Sequence, residues 1–475
     1  MIRRAALALL IGCALAPAAL ASPPRVGHAG RWITDPSGRV WVLHGLNMVY
    51  KVPPYYPAAA GFGADDAAFL HRLGFNLVRL GVIWKAVEPA PGLYDDAYLN
   101  HIAATVRTLW RHGVLSLLDF HQDMYNELFQ GEGAPDWAVQ DDGLAPLPRD
   151  GFPANYAAMP ALAHAYLHFW ANSPGPGGVG LEDRYAGAWR HVAMRFRRVS
   201  GVLGYELFNE PYPYGPSPFD ARLTAFDRRV ATAIRSVDRR TLVFYEPDVL
   251  FDFGADTHVG ALHDADAGFS WHDYCSPAGR CAVQAMRNAA RHVSRTREAT
   301  LMSEFGATAN AANLEGIVAL ADRFMVPWAE WAYCGCSDPT GTIPTSAEAV
   351  VLDPRLPPFG ANVVLPTLRA LVEPYPQLVA GTPLAWSFDR ARSTFRLRYS
   401  TARAGGRGRF AAGAVTSIAI PSLVYRGRYR VDAQGGAVVS RPGAGTLAVA
   451  ACPGVRVVSV TVSRHGRRRE SCRRG

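Results

Sequence analysis

Between Val40 and Cys334, short apolar runs alternate with helical stretches eight times, and no other feature of the sequence restricts the fold as strongly. The runs are Val40–Asn47, Asn76–Val82, Leu115–His121, Val202–Glu210, Thr241–Pro247, Gly268–Tyr274, Thr300–Phe305 and Glu330–Cys334. Apolar residues at spacings of three and four mark helices such as Ala64–Leu73, Ala97–His112, Arg184–Val199, Phe219–Val237, Ala282–Arg297 and Leu314–Met325. Strands that alternate with helices form a parallel sheet covered on both faces. Eight such units predict an α/β fold, the (β/α)8 TIM barrel, whose active site lies at the C-terminal strand ends.

After Gly381 the pattern changes to short alternating runs, Phe395–Tyr399, Ala414–Ile420, Val424–Val431, Thr446–Ala451 and Val455–Val462, separated by Gly-rich turns. These predict a small β-sandwich. The expected organisation is therefore a signal peptide over 1–21, the barrel over 22–380 and the sandwich over 381–475, with the Pro-rich stretch Leu352–Pro376 open to either side. One connection, Asn126 to Gly180, is too long for a bare loop and is rich in aromatics (Trp137, Phe152, Tyr156, Tyr166, Phe169, Trp170), so it is expected to form a lid or wall.

With 49% hydrophobic and 19% charged residues, the chain buries a large core and is not a disordered protein. Arg3 and Arg4 before an apolar run from Ala5 to Leu20, with Ala19-Leu20-Ala21 ahead of Ser22, read as a cleavable export signal and imply secretion. Leu10-Ile11-Gly12-Cys13 is the alternative, a lipobox that would anchor the protein through Cys13. Without Cys13 six cysteines remain, an even number suited to disulfides in an oxidising compartment. Proximity pairs Cys275 with Cys281 and Cys452 with Cys472, leaving Cys334 and Cys336, although six cysteines allow fifteen connectivities.

The net charge of +9 divides into about +15 after Gly381 and about −6 before it. The densest basic run is Arg464-His465-Gly466-Arg467-Arg468-Arg469. No aromatic RNA-binding motif accompanies the arginines, so nucleic acid is not an expected partner. A peripheral contact with a membrane or another anionic surface is one reading of this domain, and a solvated basic surface is the other. The protein is expected to be a monomer.

Two strand ends carry the chemistry. Leu207-Phe208-Asn209-Glu210-Pro211 closes the fourth run, and Leu301-Met302-Ser303-Glu304-Phe305-Gly306 closes the seventh. Strands four and seven face each other across a barrel mouth, so Glu210 and Glu304 can flank one bond. Carboxyls about 5–5.5 Å apart serve a retaining glycosidase, and about 6.5–9.5 Å apart an inverting one. Either glutamate alone reads equally well as a salt-bridge partner; their joint placement points to catalysis. Such a pair requires no metal, and no cofactor is expected. His121 and Asp123, two apart at a strand end, are read as hydroxyl-binding residues rather than as metal ligands with His272.

Asn209-Glu210-Pro211 with Glu304 resembles glycoside hydrolase family 5. The rest of that family's set matches Arg79 in Leu77-Val78-Arg79-Leu80, His121, His272 and Tyr274 in Trp271-His272-Asp273-Tyr274, and Trp331. His44-Gly45-Leu46-Asn47 with Lys51, Asp119-Phe120-His121-Gln122-Asp123 and Gly133-Ala134-Pro135-Asp136-Trp137 resemble its endoglycoceramidase branch, which cleaves glycan from ceramide. The resemblance implies Glu210 as acid/base and Glu304 as nucleophile, with Lys51, His121, Asp123, Asn209, Tyr274 and Trp331 around the sugars. It implies a glycolipid substrate, and Tyr212, Tyr214 and Phe219 or the Asn126–Gly180 segment are placed to wall a lipid groove. Cys334-Gly335-Cys336 departs from the polar pair expected after Trp331. The competing readings are a barrel glycosidase with another aglycone (β-galactosylceramide, a steryl β-glucoside or a β-glucan) and a non-catalytic carbohydrate- or membrane-binding protein.

Overall fold

The computed structural model describes residues 26–215, 217–340, 345–426, 428–465 and 469–472. The expected signal segment with Cys13, and residues 466–468 of the arginine-rich run, lie outside them.

Eight parallel strands close into a barrel: His44–Met48, Leu77–Val82, Leu115–Phe120, Val202–Glu206, Leu242–Tyr245, Ala267–Asp273, Ala299–Phe305 and Trp328–Glu330. All but Val202 of these strand residues are buried, since helices cover the outside and side chains fill the inside. That two-sided burial is why the strands read as nearly unbroken apolar runs. The six expected helices form, at Ala64–Leu73, Asp96–Arg111, Leu181–Phe196, Phe219–Arg235, Arg280–Thr296 and Ala311–Phe324.

The first run is not one strand. Val40–Trp41 leaves the barrel and pairs antiparallel with Leu378–Val379, and His44–Met48 alone enters the barrel. Neighbouring residues Val42 and Leu43 pack into different cores, so unbroken hydropathy hides the crossing between two sheets. Gly27–Ala29 and Trp32–Thr34 extend the same outer sheet, which continues through Val415–Ala419, Thr446–Ala451 and Gly436–Val438. A second sheet, Thr382–Asp389, Thr394–Ser400, Val457–Ser463, Arg430–Gln434 and Arg469–Ser471, packs on it. Along Thr394–Ser400 the alternation is strict: Phe395, Leu397 and Tyr399 point inward, Arg396 and Arg398 outward.

Val424–Val431 is not a strand either. Pro421 opens a short helix, Ser422–Tyr425, which Arg426 ends at φ 48°, and the strand begins only at Arg430. The domains are tied by buried polar contacts. Trp386 donates its indole N–H to Asp322 at 2.5 Å, and the Tyr375 ring lies 3.6 Å from that of His44.

The Asn126–Gly180 segment is a packed wall containing the helices Ala154–Ala158 and Pro160–Trp170. Tyr166, Phe169 and Trp170 face inward, and Phe169 and Trp170 pack on Phe208 and Phe226. Disulfides join Cys275 to Cys281, Cys334 to Cys336 and Cys452 to Cys472. No helix among the described residues is long and apolar enough to cross a membrane.

Candidate active site

At the C-terminal strand ends opens a cavity of about 440 Å³, lined by Glu210, Glu304 and Asn209 among others. Glu304 sits inside the seventh strand beside a register shift between Met302 and Glu304, an irregularity that re-aims a side chain. Glu210 is placed differently from the expectation. The fourth strand stops at Glu206, and Glu210 stands on the following loop at φ 44°. The two carboxyls nevertheless converge on one imidazole: His272 Nδ1 lies 2.8 Å from Glu210 Oε1 and 3.6 Å from Glu304 Oε2.

Beneath them lies Arg79, wholly buried on the second strand. It hydrogen-bonds Glu304 Oε1 and Glu206, donates to Asn209 Oδ1 at 2.8 Å, and approaches Asp119 at 3.1 Å and Glu246 at 3.2 Å. Burial opposes its charge, but the surrounding carboxylates, Asp119 and Glu206 foremost, hold its pKa well above the ordinary value. Tyr274 donates its hydroxyl to Glu304 Oε2 at 2.6 Å, so the nucleophile candidate is held from two sides. Burial and then Glu304 push the Tyr274 phenol well above its usual range, which keeps it a donor. Burial also works against a charge on His272, yet Glu246, Glu304 and the hydrogen bond to Glu210 raise it well above an ordinary histidine.

The remaining expected residues form one connected polar wall. Lys51 is buried; its Nζ meets Asp123 at 2.5 Å and Asp338 at 2.8 Å, and lies 4.5 Å from the Trp331 ring centroid. Trp331 stacks parallel to His121 and donates Nε1–H to Glu348 at 3.2 Å. His121 bonds Asp119 through Nδ1 at 2.8 Å, while its Nε2 lies 3.5 Å from Asp123. Burial alone would lower the His121 pKa, but Asp119 and Asp123 hold it up at about 10. Gly131 makes this corner possible: a Cβ there would fall 1.7 Å from the Asp123 carbonyl oxygen, where the loop returns to pair Glu132 with Asp123.

Another part of the lining is apolar: Phe152, Pro153, Tyr156, Tyr212, Val249, Leu250 and Phe253, with Tyr212 stacked on Tyr156 at 4.4 Å. Of the aromatics expected beside a groove, Tyr212 lines the cavity. Phe219 instead packs on Trp170, and Tyr214 bonds the Tyr156 carbonyl.

Three buried triplets have metal-like spacing: His121, Asp123 and Glu132; Glu210, Asp252 and His272; Asp119, Glu206 and Glu246. The first adjoins Lys51 and the third Arg79, and in the second His272 is itself pushed toward its charged form by the neighbouring carboxyls.

Sequence reasoning missed Glu246, Asp338, Thr340 and Glu348. Glu246 carried a usable signal, because Tyr245-Glu246-Pro247 repeats at a strand end the Glu-Pro pattern of Glu210-Pro211. Asp338 carried none, since its partner Lys51 is distant in the chain and only the fold brings the two together.

Comparison with known proteins agrees with this geometry. Residues 42–337 match the cellulase (glycosyl hydrolase family 5) model, and residues 374–462 match the glycoside hydrolase family 5 C-terminal domain. Endoglycoceramidase I of Rhodococcus hoagii (strain 103S) is 32% identical over 92% of this chain and 88% of its own length. Endoglycoceramidase of Cyanea nozakii is 28% identical over 77% of this chain and 79% of its own. Among solved structures, the lactosyl-enzyme intermediate of endo-glycoceramidase II from Rhodococcus sp. superposes with a TM-score of 0.76 at 27% identity, covering 92% of this chain and 100% of that one. Both domains are thus matched by models of a single family, and the chain belongs to glycoside hydrolase family 5 and is a glycoside hydrolase.

Proposed function

We propose that this enzyme is an endoglycoceramidase, hydrolysing the β-glycosidic bond between glycan and ceramide with retention of configuration. The observation that carries the reading is the placement of two carboxyls around one imidazole, in a cavity lined by both polar and apolar side chains. The path from Glu210 to Glu304 through His272 Nδ1 is 2.8 Å followed by 3.6 Å, which caps the separation of those oxygens below the range of about 6.5–9.5 Å that admits an attacking water. Glu304 Oε attacks the anomeric carbon as the bond to the ceramide oxygen breaks, and the proton of the Glu210 carboxyl goes to that oxygen. Water then hydrolyses the glycosyl-enzyme, giving its proton back to Glu210. A lactosyl-enzyme intermediate of the related endo-glycoceramidase II supports this route.

The polar wall suits sugars: Lys51, His121, Asp123 and Asn209 offer donors and acceptors, and Trp331 offers a face for a pyranose ring. The apolar wall suits a lipid, and Leu250 and Phe253 carry it outward, 50% and 62% exposed. The substrates named for the related proteins support ceramide over sterol or glucan as the aglycone.

Mass spectrometry of products from lactosylceramide tests the proposal, with Glu304→Ala alongside. Intact lactose and ceramide are expected, with a loss on the order of 10⁴-fold or more in the variant. Release of free galactose would overturn endo cleavage.

A further inference from the structure

Glu246 stands outside the carboxyl pair, yet it adjoins three of the groups that surround the pair. It is buried at the end of the fifth strand. Its Oε2 accepts the backbone N–H of Glu210 at 3.1 Å and lies 3.4 Å from His272 Nε2, while Oε1 accepts from Arg79 at 3.2 Å. These neighbours are the main chain of the acid/base, the imidazole bonded to its carboxyl, and the guanidinium bonded to the nucleophile. The Glu210 main chain and Arg79 both donate N–H groups, one to each carboxyl oxygen of Glu246, and the His272 ring lies within ion-pair distance.

The Glu210 backbone requires such an anchor. Its φ of 44° lies in the left-handed region, where a residue other than glycine persists only if its surroundings fix it. Asp119 and Glu206 also surround Arg79, but neither makes a hydrogen bond or ion pair with Glu210 or His272 among the described residues.

We infer that Glu246 is a positioning residue for proton transfer, fixing the Glu210 turn and the His272 ring so that the Glu210 carboxyl faces the departing oxygen. The inference rests on the reading of Glu210 as acid/base. Protonation matters most for a poor leaving group: a ceramide alkoxide needs the proton and fluoride does not. A purely structural role would impair both substrates alike.

The test compares kcat/KM on lactosylceramide and on β-lactosyl fluoride for Glu246→Gln, Glu206→Gln and Glu210→Ala. Glu246→Gln is expected to lose about 10- to 100-fold on lactosylceramide, in kcat rather than KM, and less than about 3-fold on the fluoride. Glu206→Gln is expected to affect both substrates equally. Should the glutamine variant fold poorly, Glu246→Asp keeps the acceptor and should show the same selectivity at smaller size. Equal losses on both substrates in the Glu246 variants overturn the inference. Equal losses in Glu210→Ala instead overturn the acid/base reading beneath it, and the variant that shows the effect separates the two failures.

Discussion

Glu304 receives hydrogen bonds from Arg79 at one oxygen and Tyr274 at the other, so its orientation rests on two donors with different chemistry. A hydrogen bond to a charged group contributes about 1.5–3 kcal/mol. Tyr274→Phe removes the one that can be deleted without leaving a buried charge unpaired. The expected result is a fall in kcat of about 10- to 100-fold with KM little changed, measured on lactosylceramide under steady-state conditions. At this scale most of the site was legible in the sequence, because Asn209, Glu210, Tyr274 and Glu304 stand in short motifs at strand ends. Asp338 and Glu348 were not, because each joins the site through a partner distant in the chain, Lys51 and Trp331 respectively, and Glu246 was marked only by its strand-end Glu-Pro pattern.

The short turn Val249–Phe253 supplies the cavity with Val249, Leu250 and Phe253, and the long wall supplies Phe152 and Tyr156. Phe251 of the same turn is buried against Trp271 and Phe269, so the element is anchored at its middle while Leu250 and Phe253 remain exposed. Side chains so placed gain by meeting an acyl chain, roughly 1–2 kcal/mol each for the exposed portion. The double variant L250S/F253S is expected to lower the rate on lactosylceramide in vesicles by about 10-fold and to leave the rate on β-lactosyl fluoride unchanged. A parallel loss on both substrates would place the turn outside lipid contact. The eight strands and six helices were readable because burial on two faces, or on one helical stripe, prints its period on the sequence. The helix Pro160–Trp170 was harder to read: Ala161, Leu162, Ala165, Tyr166, Phe169 and Trp170 bury one face, but Ala163 and Leu167 on the other leave only His164 and His168 as polar contrast.

Over the whole molecule, buried carboxyls dominate the dependence of stability on pH. Burial pushes Glu182, Asp273 and Glu348 up to about 7 and Asp66 and Asp248 to about 6, whereas an unfolded chain releases these protons near pH 4. Between those values the folded state binds more protons than the unfolded one, so stability falls as pH rises. His121, held at about 10 by Asp119 and Asp123 against the cost of burial, acts in the same direction: its contribution is complete below about pH 6.5 and gone above its folded value. Asp123 works the other way, being held down by Lys51 and His121 despite its burial, so its contribution is lost as pH falls below the ordinary carboxylate range. Thermal unfolding from pH 4 to 9 is therefore expected to give the highest Tm at the acid end of the range and a steady decline to pH 8; a Tm that rises over that interval would contradict it. The pairing of Val40–Trp41 with Leu378–Val379 has its own bearing on how the molecule is made. The ribosome delivers one of these strands before the barrel and the other after it, so this join in the outer sheet is a seam that stays open until the whole barrel has been synthesised.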